Sequence, residues 1–400
     1  MKIKRCPDYT VREIIHRPRI APFQSGPSRM LSADQNTLTP ERRPEFRDRL
    51  ISWFTVHQRH LPWRRTKNPY YIWISEVMLQ QTQVKKVLSY YDRFIRSFPT
   101  IQALAAADLQ TVLKVWEKMG YYGRARNLHR AAQIVAREMG GKIPADYMAF
   151  RELPGVGDYI GAAVQSIGFD KPYAVTDGNV KRVIARLFLI DSPLNRTASL
   201  KLVRERAAEL LDPEKPGLFN QAMMELGATV CHPRRPNCPG CPVSLFCGAF
   251  HTHRQHAIPV TGRTRSVPEY HTAAGVIHRD NLVLITRRKP SGLLGGLWEF
   301  PGGRVMRGET PEEACLREIK EEVNLSADII EPLTRVRHAY THFKIVMDVF
   351  RCRYRSGQIV LHGPVDYRWI TLDEIDAFPF PVANHKFIPL LKESGKGRSL

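Results

Sequence analysis

Cys231-His232-Pro233-Arg234-Arg235-Pro236-Asn237-Cys238-Pro239-Gly240-Cys241-Pro242-Val243-Ser244-Leu245-Phe246-Cys247 gathers four of the chain's seven cysteines into one short loop. Cys238 and Cys241 form a Cys-x2-Cys pair, whose tight turn aims both sulfurs at one ion or cluster. Zinc sites usually show two such pairs, or Cys with His, separated by a longer arm. The compact x6, x2, x5 spacing suits four thiolates wrapping a [4Fe–4S] cubane, with a zinc knuckle as the alternative. A disulfide framework is disfavoured: no secretory apolar segment opens the chain, and Cys6, Cys315 and Cys352 are scattered.

Upstream, Leu153-Pro154-Gly155-Val156-Gly157 lies between two helical stretches. Its glycines permit positive φ and close backbone approach, leaving N–H groups free at the start of the helix near Asp158. A phosphate suits that positive end of a helix dipole, although a short Gly-x-Gly turn also serves as a plain helix connector. Further on comes Val175-Thr176-Asp177-Gly178-Asn179-Val180, where Asp177 precedes a helix carrying Lys181, Arg182 and Arg186. An N-cap aspartate is compatible with that position and with catalysis. Hairpin, aspartate and four-cysteine loop follow one another in that order.

The chain has 400 residues, enough for two or three domains with cores of their own. Sixty basic against 39 acidic residues give a formal charge of +21, which points to a polyanionic partner such as nucleic acid. No apolar run reaches membrane-spanning length, so no membrane partner is expected. Residues 1–45 read as a loosely ordered extension, with Met30 a second candidate start; Asp8 and Glu13 argue against a transit peptide. Residues 46–250 read as helical, with helices at Ile101–Trp116, Ala125–Met139, Ile160–Ile167 and Leu200–Leu211. Residues 251–269 read as a linker. Residues 270–400 read as α+β, with strands at His271–Ile277, Leu282–Thr286, Lys344–Tyr354 and Tyr367–Ile370 and a helix at Pro311–Val323. The expected fold is an all-α half followed by an α+β half.

On the hairpin, aspartate and cysteine loop together, the chain resembles the helix-hairpin-helix DNA glycosylases that carry an iron–sulfur cluster. The resemblance implies that the hairpin, Gly155, Val156 and Gly157, grips the DNA backbone and that Asp177 works at the sugar of an extruded nucleotide. Glycosylase/lyases of the superfamily have a lysine at the seventh hairpin position; this chain has Tyr159, which implies a monofunctional, hydrolytic enzyme. Leu61-Pro62-Trp63-Arg64, Ile72–Val84, Met119–Arg124 and Asn220–Gly227 resemble the hallmark segments of MutY-type adenine DNA glycosylases. The likeness runs from about Phe46 to the end of the chain.

Adenine is a poor leaving group unless protonated, and the departing bond leaves an oxocarbenium-like sugar. Two carboxylates in different environments meet both needs. Glu76 stands among Ile72, Trp73, Val77 and Leu79, where burial should raise its pKa and keep a proton available. By resemblance it protonates adenine N7. Asp177, near a basic helix start, should stay ionised and face C1′, electrostatically or through a covalent adduct. Tyr159 and Asn179 match the family's supporting shell. Arg59, Leu61, Trp63, Arg64 and Gln221 match its adenine pocket, and Gln81 and Tyr121 the residues that fill or wedge the gap beside the partner base. Arg234 and Arg235 put charge on the cysteine loop, suggesting DNA docking rather than electron transfer.

Gly303-x5-Glu309-x7-Arg317-Glu318-Ile319-x-Glu321-Glu322-x-Asn324-Leu325 is close to a Nudix box, with Asn324 where Gly is usual. Asn tolerates positive φ. MutY-type proteins carry a Nudix-like domain that reads 8-oxoguanine, and recognition is expected here over retained metal-dependent hydrolysis. Arg337–Phe343 occupies the place of the family's recognition loop, so Thr341 and His342 are expected to contact the oxidised base. The whole implies a monomeric enzyme acting on adenine opposite 8-oxoguanine or guanine in duplex DNA. Its expected compartment is a bacterial cytoplasm, or a nucleus or mitochondrion in a eukaryote. A glycosylase/lyase, a Nudix pyrophosphatase and a non-enzymatic damage binder are the competing classes.

Overall fold

The structure is a computed structural model that describes residues 38–260 and 267–395. Most of the expected extension at 1–45 and part of the expected linker lie outside the described residues. By contact, the described chain falls into two units: residues 38–76 with 143–260, and residues 77–142 with 267–395. The sequence reading keeps 46–250 together; polar partners described below tie residues 77–142 to the sheet-bearing segment.

The first unit is helical. It contains α1 (Arg43–His57), most of α2 (Pro69–Leu79), α7 (Tyr147–Arg151), α8 (Asp158–Phe169), α9 (Gly178–Leu187), α10 (Thr197–Leu210), α11 (Pro216–Thr229) and the single turn α12 (Gly248–His251). Alanine and small side chains let α8 sit at the centre, with every residue from Ile160 to Ile167 buried. Rings close the periphery: Trp73 meets Phe150 edge-on at 5.2 Å, and Phe46 meets Phe246 at 5.6 Å.

The second unit begins with the rest of α2 and α3 (Val84–Ser97), α4 (Ile101–Ala106), α5 (Leu109–Val115) and α6 (Gly123–Glu138). The single helix expected over Ile101–Trp116 is broken, because Asp108 accepts from the Gln110 and Thr111 amides at 2.8 and 3.4 Å and starts a new helix. A seven-stranded sheet follows, with β1 (Glu269–Arg279), β2 (Leu282–Arg287), β3 (Trp298–Glu299), β4 (Gly302–Arg304), β5 (Ser326–Ala339), β6 (Lys344–Ser356) and β7 (Asp366–Ile370). The main order is β3-β2-β1-β6-β5, with β4 on β1 and β7 on β2; β1 and β6 are parallel and the other pairs antiparallel.

α13 (Pro311–Val323) covers one face through Ala314, Cys315, Ile319 and Val323 against Ala273, Ile277 and Phe350. Phe380, Phe387 and α14 (Ile388–Gly395) cover the other, against Val276, Ile285 and Phe300. The helix α13 opens on a capping box, Thr310 with Glu313, and closes on Asn324 at φ 57°, the left-handed conformation expected of that residue.

The 77–142 segment finds its partners in this half. Gln110 Oε1 accepts from the Trp298 indole at 2.9 Å, and Gln110 Nε2 donates to Gly296 O at 3.0 Å. Lys114 donates to Phe378 O at 3.0 Å, and Glu117 accepts from the Phe380 amide at 2.9 Å while facing His385. No helix among the described residues is long and apolar enough to cross a membrane.

Candidate active site

Glu76 lies on α2 and is 4% exposed. Burial, reinforced by the charge of Asp177, pushes its carboxyl up to about 7, against the lowering influence of Tyr159 and Arg64. The Tyr159 hydroxyl donates to Glu76 Oε2 and also reaches Met224 Sδ at 3.5 Å. Burial and the two nearby carboxylates push the Tyr159 phenol well above its ordinary value, so it acts as a donor and stays protonated. Tyr159 stands on α8 two residues after Gly157, the residue that caps that helix.

Asp177 is the N-cap of α9. Its Oδ1 accepts from the Val180 amide at 2.7 Å and its Oδ2 from Asn179 Nδ2 at 3.0 Å. Burial moves its pKa upward, opposed by those hydrogen bonds and by Arg182. The sequence reading weighed only the basic neighbours and missed the burial. Asn179 is itself oriented: Arg182 Nη2 donates to its Oδ1 at 2.9 Å, which turns the amide nitrogen toward Asp177. Gly227 makes this possible, because a Cβ there would come within 2.6 Å of Asn179 Cβ. Asn220 pins the approach to Asp177, accepting from the Val175 amide and donating to Ser166 Oγ and Tyr173 O.

The hairpin has the expected form. Gly155 adopts φ 79°, where a side chain would be strained, and the space above Gly157 at the start of α8 is open. Val156 is buried. Asp158, in the first turn, is paired with Arg151 at 2.7 Å and Arg204 at 3.2 Å.

Of the expected adenine pocket, Leu61 and Trp63 are buried and Gln221 donates to Gly217 O at 3.2 Å. Arg59 and Arg64 hold a duty that was not foreseen. Both bond the fully buried Glu225, Arg59 through Nε and Nη2 at 2.7 Å each and Arg64 through Nη2 at 2.7 Å. Burial works against the Glu225 charge, but the two guanidinium groups hold its pKa at about 2. A lone acid on the apolar α11 was the available signal, since a buried carboxylate requires a cationic partner.

The four thiols are free and partly exposed as residues. Burial and their mutual repulsion push the Cys247 thiol up to about 11 and the Cys241 thiol higher still. Arg186, 2% exposed on α9, ties the loop down. It donates to Cys231 Sγ at 3.1 Å, His232 O at 2.8 Å, Pro233 O at 2.9 Å and Ile258 O at 2.8 Å. Among the described residues no three His, Cys, Asp or Glu side chains form a site for a single metal ion. Four soft thiol donors gathered in one loop are the donor chemistry that an iron–sulfur cluster takes.

In the second unit, Gln81 and Tyr121 are exposed and both take left-handed backbone, at φ 54° and 50°. The Tyr121 hydroxyl meets Thr341 Oγ1. Thr341 and His342 are exposed at the tip of the β5–β6 hairpin, closed by Tyr340 N to Phe343 O at 2.8 Å. In the box, Arg317 bonds Glu309 at 2.7 Å, Glu318 at 3.0 Å and Glu321 at 2.9 Å. Glu322 accepts from the Gly302 amide at 3.1 Å, and burial with Glu299 nearby pushes it up to about 8.

Residues 74–211 match the HhH-GPD superfamily of base excision DNA repair proteins, and residues 272–390 match the NUDIX domain. An adenine DNA glycosylase of Mus musculus is 34% identical over 406 residues, covering 88% of this chain and 79% of that one. One of Homo sapiens is 34% identical over 385 residues, covering 82% and 70%. Among solved structures, a thermostable thymine-DNA glycosylase superposes with a TM-score of 0.49 at 31% identity, covering 53% of this chain and 98% of that one.

Proposed function

The chain belongs to the adenine DNA glycosylase family, enzymes of base excision repair that hydrolyse N-glycosyl bonds, and from that premise we propose that it removes adenine opposite 8-oxoguanine or guanine without cutting the strand. The observation that carries the reading is Glu76, a buried carboxyl at about 7 that shares its surroundings with Asp177. Near neutral pH, Glu76 holds a proton in a substantial fraction of molecules, as a general acid must. It gives that proton to adenine N7 as the C1′–N9 bond breaks, and the base leaves neutral with the bonding pair. The Asp177 carboxylate stabilises the positive sugar, and a water adds at C1′ and returns a proton to Glu76. Adenine and an abasic site result. Tyr159 offers a phenol where a lyase needs an amine, which supports the hydrolytic course.

A single-turnover assay on duplex DNA with labelled adenine strand tests this. Cleavage only after alkali supports it; cleavage without alkali, or none from folded protein, overturns it. The protein is read as a monomer on duplex DNA, its charge of +21 meeting the phosphates.

Cys231, Cys238, Cys241 and Cys247 are read as ligands of a [4Fe–4S] cluster that fixes a basic loop against DNA. Cys238→Ser should lose the brown absorbance and DNA affinity together; an active, colourless variant would sink that role. The β5–β6 tip is read as the 8-oxoguanine sensor, the box glutamates being engaged by Arg317. Thr341→Ala with His342→Ala should lower the preference for 8-oxoguanine over guanine by about fivefold to tenfold, the worth of one or two hydrogen bonds. Unchanged discrimination in paired excision assays would move recognition elsewhere.

A further inference from the structure

We propose that Arg124 is a positioning residue for base extrusion: its one guanidinium locks together the two turns that present Gln81 and Tyr121. The inference rests on reading those two residues as the ones that enter the duplex beside the mispair. The last carbonyls of any helix lack partners within it, and α2 ends at Leu79. Arg124 Nη1 donates to Val77 O at 2.8 Å, Met78 O at 2.9 Å and Gln80 O at 2.6 Å. Its Nη2 donates to Thr82 Oγ1 and to Gly120 O, each at 3.2 Å.

One planar group thus holds the residues on both sides of Gln81 and the residue just before Tyr121. Gln81 and Tyr121 themselves are non-glycine residues in left-handed backbone, a conformation that persists only where surrounding bonds over-determine it. The guanidinium also lies 5.3 Å from the Trp116 and Tyr121 ring centres, so it touches the Tyr121 side chain as well as its turn.

These acceptors are neutral: four backbone carbonyls and one hydroxyl. Burial lowers the Arg124 pKa to about 10, so keeping the cation there works against its solvation. What it gains is the negative end of α2 and a fixed relation between two separate turns. Lysine cannot substitute, because a single ammonium lacks the fork that spans both turns. Turns fixed in place before DNA arrives lose less freedom on meeting it, which favours extrusion.

The test compares the full-length protein with Arg124→Gln, using duplexes that carry 2-aminopurine in place of the target adenine, whose fluorescence rises on unstacking. The variant should show at least about a tenfold smaller extrusion constant at saturating protein. Excision should fall as far on a paired duplex, yet change little on an adenine in an unpaired bulge, where extrusion costs least. Arg124→Lys should not rescue. Equal losses on both substrates, or an unchanged 2-aminopurine signal, would overturn the proposal. Should the glutamine variant fail to fold, Arg124→Lys is read in the same assays against the same outcomes. The fluorescence requires no bond cleavage, so it judges Arg124 even if wild-type protein fails to excise adenine, an outcome that would count against the glycosylase reading alone.

Discussion

Glu76→Gln is expected to cut single-turnover excision by about a hundredfold to ten-thousandfold, the range of a positioned general acid. Wild-type excision should decline as pH rises through about 7, where the Glu76 carboxyl loses its proton. The glutamine variant should keep only a residual rate that is flat across that window. The same substitution should stabilise the fold at higher pH. The folded-state pKa lies above the ordinary 4.5, so the folded protein binds the extra proton and wild-type stability falls between pH 4.5 and about 7. Above that window the full effect amounts to about 3 kcal/mol. Urea unfolding at pH 5 and pH 8 separates the cases: the gain should be near its full size at pH 8 and fall to about a quarter of that at pH 5. A variant that excises normally, or that is no more stable at pH 8, would remove Glu76 from its assigned place.

Asp177→Asn should lower excision by about a hundredfold to a thousandfold, as expected when one fixed electrostatic partner of a developing charge is removed. Binding to the mispair should survive. Asparagine is a good N-cap, so its side-chain oxygen can keep the Val180 amide and α9 should still start at Gly178. Its amide nitrogen, however, would face Asn179 Nδ2, which Arg182 holds in place. That mismatch should cost about 1 kcal/mol of stability. Fluorescence anisotropy, thermal unfolding and single-turnover rates together check the claim. A loss of binding that parallels the loss of excision would show that Asp177 acts by shaping the protein, not at the sugar.

The legible parts of the fold were those with strong local chemistry. The Pro311 start made α13 readable to the residue, and runs rich in apolar, β-branched and aromatic residues placed β1, β2, β6 and β7. β5 escaped because Pro332 interrupts it and the register shifts twice nearby, between Ile329 and Glu331 and between Pro332 and Thr334. β3 and β4 are too short to show a period. At the site, motifs and a family resemblance named Glu76, Asp177, Tyr159 and Asn179, which the structure brings near one another. Glu225, Arg182, Arg186 and Arg124 were not, because their meaning lies in partners far along the chain. A charged residue on a helix reads as a solvated face until the opposing carbonyl or carboxylate is known.

The placement of residues 77–142 bears on how this protein can be divided and recombined. A cut at the apparent linker would remove the C-terminal half and leave Glu117 without the Phe380 amide, Lys114 without Phe378 O, and Gln110 without the Trp298 indole. Those groups were taken out of water against partners that the cut discards. Keeping those partners together requires moving residues 77–142 with the sheet, and a chimaera that swaps the sheet alone would inherit a helical segment built for a different companion.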